Sequence, residues 1–440
     1  MSNDKVLKNL EDQILKLVGE YSKIRHKKLD FIPEISNIPV NGRVFDEQEV
    51  KELVKSSIDF WLTDGDYSEK FSKKMSNFLN MKHVRIVNSG SSANLVALSS
   101  LTSEKIKNFI KPGNEVVTSA VGFPTTVNPI FQNNLVPVFV DSELGTYNPT
   151  ANSIIEACSE NTKAIFQAHT LGNPFEVQKL KDFCEDKNIW LIEDNCDALG
   201  STYNKKLTGT FGNISTLSFY PAHHITMGEG GAVITNSNKL KLSIDSFRDW
   251  GRDCWCKSGH DDTCGKRYDW QLGELPYGYD HKFTYSNIGY NLKATDLQAS
   301  IGFAQMDKLE SFIKARRNNW LKINNFIEKK QDFFIPHKPT PNSNPSWFGY
   351  AITVKENTKF NRDELVKYLN ENRIATRLMF GGNLIRQPAY KNRKFKIHGN
   401  LENADIVMNS SFWVGVYPGL TDEMINYMLD KINNFLIEKS

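Results

Sequence analysis

A chain of 440 residues is long for one core, so two domains, one large and one small, are expected. Hydrophobic residues make up 40% and charged residues 24%, and the formal net charge of +3 excludes a strongly basic nucleic-acid or membrane-surface binder as the leading reading. No apolar run reaches the roughly 18 residues of a transmembrane helix, and Met1-Ser2-Asn3-Asp4-Lys5 has no apolar signal core, so a cytoplasmic protein is expected.

In chain order, Leu7, Leu10, Ile14, Leu17 and Tyr21 recur at three- and four-residue steps, the pattern of an amphipathic helix. It is expected to pack on the main body; a coiled-coil partner is the alternative and would need more heptads. Glu47 to Trp61 reads as a second such helix. From His83 to Thr235 short β-rich runs alternate with helical patterns: Val84–Val87, Glu115–Thr118, Val136–Val140, Ala164–Ala168, Trp190–Glu193, Thr216–Phe219 and Ala232–Thr235. Seven such apolar runs predict an α/β domain whose sheet is buried on both faces. Pattern alone does not separate this from a Rossmann-like domain.

Four stretches of this domain carry candidate chemistry. Asn88-Ser89-Gly90-Ser91-Ser92-Ala93-Asn94 follows the first strand and opens a helix, where small residues let amides and hydroxyls converge on an anion; a plainly capped helix start is the alternative. Val121-Gly122-Phe123-Pro124-Thr125-Thr126-Val127-Asn128 places an aromatic ring before a helix, and a core phenylalanine is its bland reading. Leu191-Ile192-Glu193-Asp194-Asn195-Cys196-Asp197 ends a buried strand in acids. Ile214 to Phe219 then leads through His223 and His224 into Gly228-Glu229-Gly230-Gly231 and a further strand.

Beyond Leu240, Arg248 to Tyr290 holds few regular signals and reads as a long functional excursion. A long helix from about Thr295 to Glu328 should lead, through an irregular stretch with Pro336, Pro339, Pro341 and Pro345, into a small α/β domain. Its pieces include Tyr350–Val354, a helix from Arg362 to Asn370, and Trp413–Val416. The expected division is 1–60 helical, 61–294 large domain with the excursion 248–290, and 295–440 long helix with small domain. Cys196, Cys254, Cys256 and Cys264 are spaced C-x57-C-x-C-x7-C, and four thiolates suit a structural zinc or an iron–sulfur cluster. Cys158 and Cys184, on helical stretches, read as plain buried thiols.

The run Ser218-Phe219-Tyr220-Pro221-Ala222-His223-His224-Ile225-Thr226-Met227-Gly228-Glu229-Gly230-Gly231 resembles the cofactor-lysine segment of the sugar aminotransferases, the DegT/DnrJ/EryC1/StrS family of pyridoxal phosphate (PLP) enzymes. That segment reads Ser-Phe-x-x-x-Lys-x-x-Thr-x-Gly-Glu-Gly-Gly, and His223 stands where the lysine belongs. The resemblance implies the fold type I architecture, with a seven-stranded, mostly parallel sheet and a small C-terminal domain. It further implies that Gly90, Ser91, Ser92 and Ser218 hold the cofactor phosphate, Phe123 stacks on the pyridine, and Asp194 pairs with its ring nitrogen. In Gly289-Tyr290-Asn291-Leu292, Asn291 matches a residue that reaches the neighbouring subunit's phosphate, which implies a homodimer.

A lysine amine forms a Schiff base with PLP; an imidazole cannot, yet it moves protons near neutral pH. The cofactor implied is therefore pyridoxamine phosphate (PMP), held without a covalent bond. Cys196 lies two residues past Asp194, within about 7 Å of extended chain, so a metal on it would lie near that ring, which favours an electron carrier over zinc. Histidine for lysine and the four cysteines occur together in one branch of the family, the PMP-dependent, [2Fe-2S]-containing nucleotide-sugar 3-dehydrases. The resemblance then implies C-3 deoxygenation of CDP-4-keto-6-deoxy-D-glucose for O-antigen lipopolysaccharide, with a separate NAD(P)H-dependent flavin/iron–sulfur reductase. Alternatives are a dTDP-4-keto-2,6-dideoxyglucose 3-dehydratase, a cluster-free GDP-4-keto-6-deoxymannose 3-dehydratase, and a non-catalytic regulator on the same fold. Sugar-nucleotide contacts near Arg377 and Gln387 match the family only loosely.

Overall fold

The computed structural model describes residues 3–256 and 259–439. Helices α1 (Asn3–Arg25), α2 (Glu47–Asp59) and α3 (Asp66–Leu79) precede strand β1 (His83–Val87). Then follow α4 (Gly90–Ser100), β2 (Glu115–Ser119), α5 (Pro124–Gln132), β3 (Val136–Val140), α6 (Ala151–Glu156), β4 (Thr162–Ala168), α7 (Val177–Lys187) and β5 (Trp190–Asp194). A small hairpin, β6 (Thr202–Tyr203) and β7 (Lys206–Leu207), leads to β8 (Ile214–Ser218), β9 (Gly231–Thr235) and α8 (Asn238–Arg248). After the excursion come α9 (Asp296–Gln305), α10 (Leu309–Ile327), β10 (Phe334–Pro336), β11 (Ser343–Asn344), β12 (Gly349–Val354) and α11 (Arg362–Glu371). The chain closes with β13 (Arg377–Leu378), β14 (Lys396–Ile397), α12 (Glu402–Ser410), β15 (Ser411–Gly415) and α13 (Asp422–Lys439).

The large sheet has the order β1-β9-β8-β5-β4-β2-β3-β14. Its neighbours from β8 to β14 pair in parallel, and β9 runs antiparallel to both β1 and β8. Every residue of β2, β3, β8 and β9 is buried, which is why β3 and β9 read as continuous apolar runs and the buried polar residues of β2 and β8 are mostly small hydroxyl ones. The sheet has eight strands where seven were expected. The eighth, β14, is two exposed residues arriving from the C-terminal part of the chain, too short and too polar to carry a strand pattern.

The small domain is an antiparallel sheet, β10-β12-β15-β13, packed on α10, α11 and α13 around Phe334, Tyr350, Ile352, Phe412 and Val414. The long helix expected from Thr295 to Glu328 is two helices joined by a tight turn at Met306–Lys308. Its start is well determined: Thr295 and Gln298 form a capping box. The buried Asp296 carboxylate accepts from the amides of Gly65 (2.8 Å), Tyr67 (3.0 Å) and Ser68 (3.1 Å), tying α9 to the first turn of α3.

Two features depart from pattern. Among the described residues the excursion 248–290 holds a single short helical turn, His281–Phe283. It is pinned at its root by Gly251, at φ +80°, where an added Cβ would lie 1.8 Å from the Asn287 carbonyl oxygen. Helix α1 packs on α2, as the Glu11–Lys55 and Glu47–Lys23 ion pairs show, but the apolar stripe expected to face the body points outward instead.

A buried imidazole in the small domain gives a pH test of stability. Nδ1 of His337 accepts from the Ala351 amide (3.3 Å) and the Trp320 indole (3.4 Å), and burial pushes its pKa down to about 3. The native ring therefore stays neutral while the unfolded chain takes up a proton below about 6.5, so this residue's contribution to stability is lost as pH falls through that window. His337→Gln should flatten the dependence of unfolding free energy on pH between about 6.5 and 4.5 by one proton's share, about 1.4 kcal/mol per pH unit. Urea titrations across that range measure it, and an unchanged slope would contradict the assignment.

Candidate active site

The parallel strands β5 and β8 lie side by side, with Asp194 opposite Thr216, and both end at the carboxyl edge of the sheet. In open α/β sheets this edge, outside the strand ends, is where ligand sites form. Asp194 ends β5 and is 6% exposed. Its Oδ2 accepts from Asn94 Nδ2 (2.8 Å) and Thr126 Oγ1 (2.6 Å), and its Oδ1 from the Cys196 amide (3.2 Å). The Thr216 hydroxyl in turn donates to Asn94 Oδ1 (2.6 Å). Helices α4 and α5 and strand β8 thus hold one carboxylate through neutral donors alone.

A second cradle forms next to it. Ser89 caps α4, its Oγ accepting from the Ser92 amide (3.0 Å), so Gly90, Ser91 and Ser92 make the helix's first turn. Ser218 ends β8 so close by that a Cβ on Gly90 would lie 2.5 Å from the Ser218 Cβ and 2.8 Å from its Oγ. Only glycine lets the serine hydroxyl share that space with the helix N-terminus.

His223 lies in the turn after β8, its Nδ1 3.4 Å from Asp197 Oδ1 and its ring centre 5.0 Å from that of Phe348. Burial, reinforced by the Arg316 charge, pushes its pKa down to about 4, so the imidazole is neutral at pH 7. Asp197 is pushed up to about 8, by burial first and then by the charge of Asp194. His224 turns the other way: it is buried and its Nε2 pairs with the Ser346 carbonyl (2.8 Å). Arg316, 2% exposed, reaches in from α10, its Nη2 donating to the His223 carbonyl (2.9 Å) and its Nη1 to that of Trp347 (3.1 Å).

The structure therefore gathers Asp194 and His223 in one group, and sets Gly90, Ser91, Ser92 and Ser218 together in a second. Phe123 precedes α5, 53% exposed, its ring edge-on to Phe380. Asn291 is exposed, in an isolated bridge with Asp249. Arg377 is exposed on β13, and the Gln387 side chain is taken by the Gly381 carbonyl (2.9 Å). Asn94, Thr126, Asp197 and Arg316 were missed. The first three lie inside or beside stretches already singled out, whereas Arg316 is one cation among several on a helix.

The cysteines divide. Cys254, Cys256 and Cys264 line one small cavity with Asp262, Arg267 and His281. The Thr263 hydroxyl lies 3.1 Å from Cys256 Sγ; burial opposes ionisation there, but the hydrogen bonds from Thr263 and Cys254 outweigh it and the Cys256 pKa is lowered. Cys196 is placed elsewhere, beside Asp194, its thiol pushed well up by burial and then by that carboxylate. Among the described residues no three His, Cys, Asp or Glu side chains stand in metal-holding geometry, so the four thiols expected at one centre are not assembled. Cys158 and Cys184 are pushed up to about 12 by burial, as inert thiols are.

A model of the DegT/DnrJ/EryC1/StrS aminotransferase family matches residues 43–433. The lipopolysaccharide biosynthesis protein RfbH of Salmonella typhimurium is 51% identical over 97% of this chain and 98% of its own length. The dTDP-4-dehydro-2,6-dideoxy-D-glucose 3-dehydratase of Saccharopolyspora spinosa is 48% identical over 98% of this chain and 93% of its own. The solved structure of E. coli GDP-4-keto-6-deoxy-D-mannose-3-dehydratase with bound hydrated PLP superposes with a TM-score of 0.80 at 27% identity, covering 90% of this chain and 99% of that one.

Arg316 is testable without reference to any ligand. Arg316→Met strips the donors from the buried His223 and Trp347 carbonyls and should cost about 2–5 kcal/mol of unfolding free energy. Arg316→Lys should recover less than half of that, because an ammonium cannot reproduce the planar fork. Denaturant unfolding of both variants measures the difference, and equal stability of the lysine variant and the wild type would contradict it.

Proposed function

This chain belongs to the DegT/DnrJ/EryC1/StrS aminotransferase family, and from that premise we propose that it removes the C-3 hydroxyl of a nucleotide-linked 4-keto-6-deoxyhexose. The observation that carries the proposal is His223: a neutral imidazole, its Nδ1 facing the Asp197 carboxyl, where the family's motif has its lysine. Two structural observations fit pyridoxamine phosphate to the site. A buried carboxylate held only by neutral donors suits a protonated pyridine nitrogen, and the Gly90–Ser218 approach leaves room that a Cβ would fill. When bound, that cofactor supplies an amine for the sugar ketone and a sink for electron density.

The chain's own residues take the remaining roles in this reading. Asp194 holds the ring nitrogen, and the Gly90, Ser91 and Ser92 amides with the Ser218 hydroxyl receive the phosphate. Phe123, exposed ahead of α5, covers the ring face, and Asn291, exposed on the surface, reaches across a homodimer to the neighbouring site. His223 acts as the base. Its Nδ1 is buried against Asp197, so Nε2 takes the proton, and a positioned base of this kind contributes about 10²–10⁴-fold.

The proposed substrate is CDP-4-keto-6-deoxy-D-glucose, a reading supported by 51% identity to a lipopolysaccharide biosynthesis protein. A dTDP-linked 2,6-dideoxy sugar is the second reading, favoured by the 48% identical 3-dehydratase. We also propose Cys196, Cys254, Cys256 and Cys264 as ligands of a [2Fe-2S] cluster fed by a separate NAD(P)H-dependent flavin/iron–sulfur reductase. Its support is the convergence of three thiols on one cavity. Such a cluster supplies electrons singly. Cys196 stands outside that group in the single chain.

His223→Asn should lower turnover at least about 10²-fold while PMP binding, followed by absorbance titration, stays within a few-fold of wild type; retained turnover rejects the base. Assays with CDP-, dTDP- and GDP-linked 4-ketosugars decide the nucleotide. Anaerobically purified protein should absorb at long wavelength and yield iron and sulfide. Absence of both elements rejects the cluster and leaves the base assignment standing.

A further inference from the structure

The backbone at Phe380 is strained. Its φ of +49° lies in the left-handed region, which a bulky side chain adopts only where the surrounding structure imposes it. Here both domains impose it. On the small-domain side, the Trp413 indole donates to the Leu378 carbonyl (3.0 Å), and the Gly382 amide closes a turn on the Met379 carbonyl (2.8 Å). On the large-domain side, the Gly122 carbonyl accepts from the Gly381 amide (3.1 Å) and the Ala120 carbonyl from the Leu384 amide (2.9 Å). Gln387 Nε2, donating to the Gly381 carbonyl (2.9 Å), braces the same turn from within. A bonded network that holds an outlier in place points to a use for the side chain it aims.

What the strain achieves is the placement of one ring. Phe380 stands edge to face with Phe123, their centroids 6.1 Å apart and their planes at 88°. On its other flank Trp413 of β15 lies 6.4 Å away, and the ring packs on the core cluster that holds Val121 and Met379. Phe123 is 53% exposed ahead of α5, and among the described residues Phe380 is the one aromatic ring that touches it. An exposed phenylalanine samples several rotamers unless a neighbour restricts them, and a ring that turns must be ordered again each time a planar ligand binds. The perpendicular arrangement restricts Phe123 and still leaves at least one of its faces uncovered.

We propose that Phe380 is a positioning residue: its ring, held out by the strained turn, fixes Phe123 in the orientation that receives the pyridine of the cofactor. The proposal rests on the reading of Phe123 as the residue that covers that ring. It also gives the small domain a part in the cofactor site, because the turn forms where the main chains of the two domains meet.

Absorbance titration of PMP into the full-length apo protein, with Tm measured alongside, tests this. Phe380→Ala should weaken PMP binding about 3–10-fold, the scale of one aromatic pair, and Phe380→Tyr should stay within about twofold of wild type. Phe380→Gly relieves the backbone at positive φ, so its Tm should exceed that of Phe380→Ala while its PMP affinity is just as low. Phe123→Ala should also weaken binding. The double variant should bind no more weakly than Phe123→Ala alone, since the second ring acts only through the first. Wild-type affinity in Phe380→Ala, beside weakened binding in Phe123→Ala, overturns the proposal and leaves the Phe123 reading standing. Additive losses in the double variant, or affinity restored in Phe380→Gly, overturn it as well. Wild-type affinity in Phe123→Ala removes both.

Discussion

Two carboxylates three residues apart, Asp194 and Asp197, share a buried space at the end of β5, and the chemistry of the site depends on how that space tolerates charge. Asp194 accepts hydrogen bonds from neutral groups; Asp197 is pushed up to about 8, by burial first and then by the charge of Asp194. One guanidinium, Arg316, enters the same region, itself pulled down to about 9 by burial. A second cation there would meet Arg316 in a low-dielectric interior, where like charges repel far more than in water. Burial first, and then that repulsion, hold the imidazole of His223 neutral, and a neutral imidazole is the form able to accept a proton.

The parts legible in the sequence are those where one physical demand acts along consecutive residues. Burial on both faces gives β2 to β5 each an apolar centre of consecutive residues, so each was readable to within a residue or two. Strand β14 escaped because two exposed residues at a sheet edge face no such demand. Asp194 was singled out through the resemblance of its segment to the family's, since an acid ending a strand and capping the next turn is common by itself. Its holders, Asn94 and Thr126, were not, because their roles depend on side-chain direction across three elements. The amphipathic period of α1 was legible, but the face it presents was not: two stripes on one helix compete, and packing on α2 selected the one bearing Gly19 and Ser22.

The cysteines show a related limit. Cys254, Cys256 and Cys264 lie within one loop, so the loop's own turns bring them to a common cavity. Cys196 is fixed by the end of β5, its amide bound to Asp194, and its thiol is disfavoured as an anion by burial and then by the Asp194 carboxylate. Short sequence separation lets thiols meet at little entropic cost, while a donor on a rigid strand must wait for the loop to come to it.

The frame around residue 223 explains how one position can carry either a lysine or a histidine within a family. The turn is set by main-chain bonds from Phe219 to Gly230 (2.8 Å) and from Met227 to Phe219 (2.9 Å). The Thr226 hydroxyl on the Phe219 carbonyl (3.1 Å) and Arg316 on the His223 carbonyl complete it. None of these bonds involves the side chain at 223. The backbone therefore holds its path whichever residue is present, and an exchange there alters the reactive group while the carboxylate lattice and the glycine–serine cradle keep their geometry. What must change with it is the charge balance, because a lysine would add a cation beside Arg316 unless it were neutralised by a covalent bond or by proton loss.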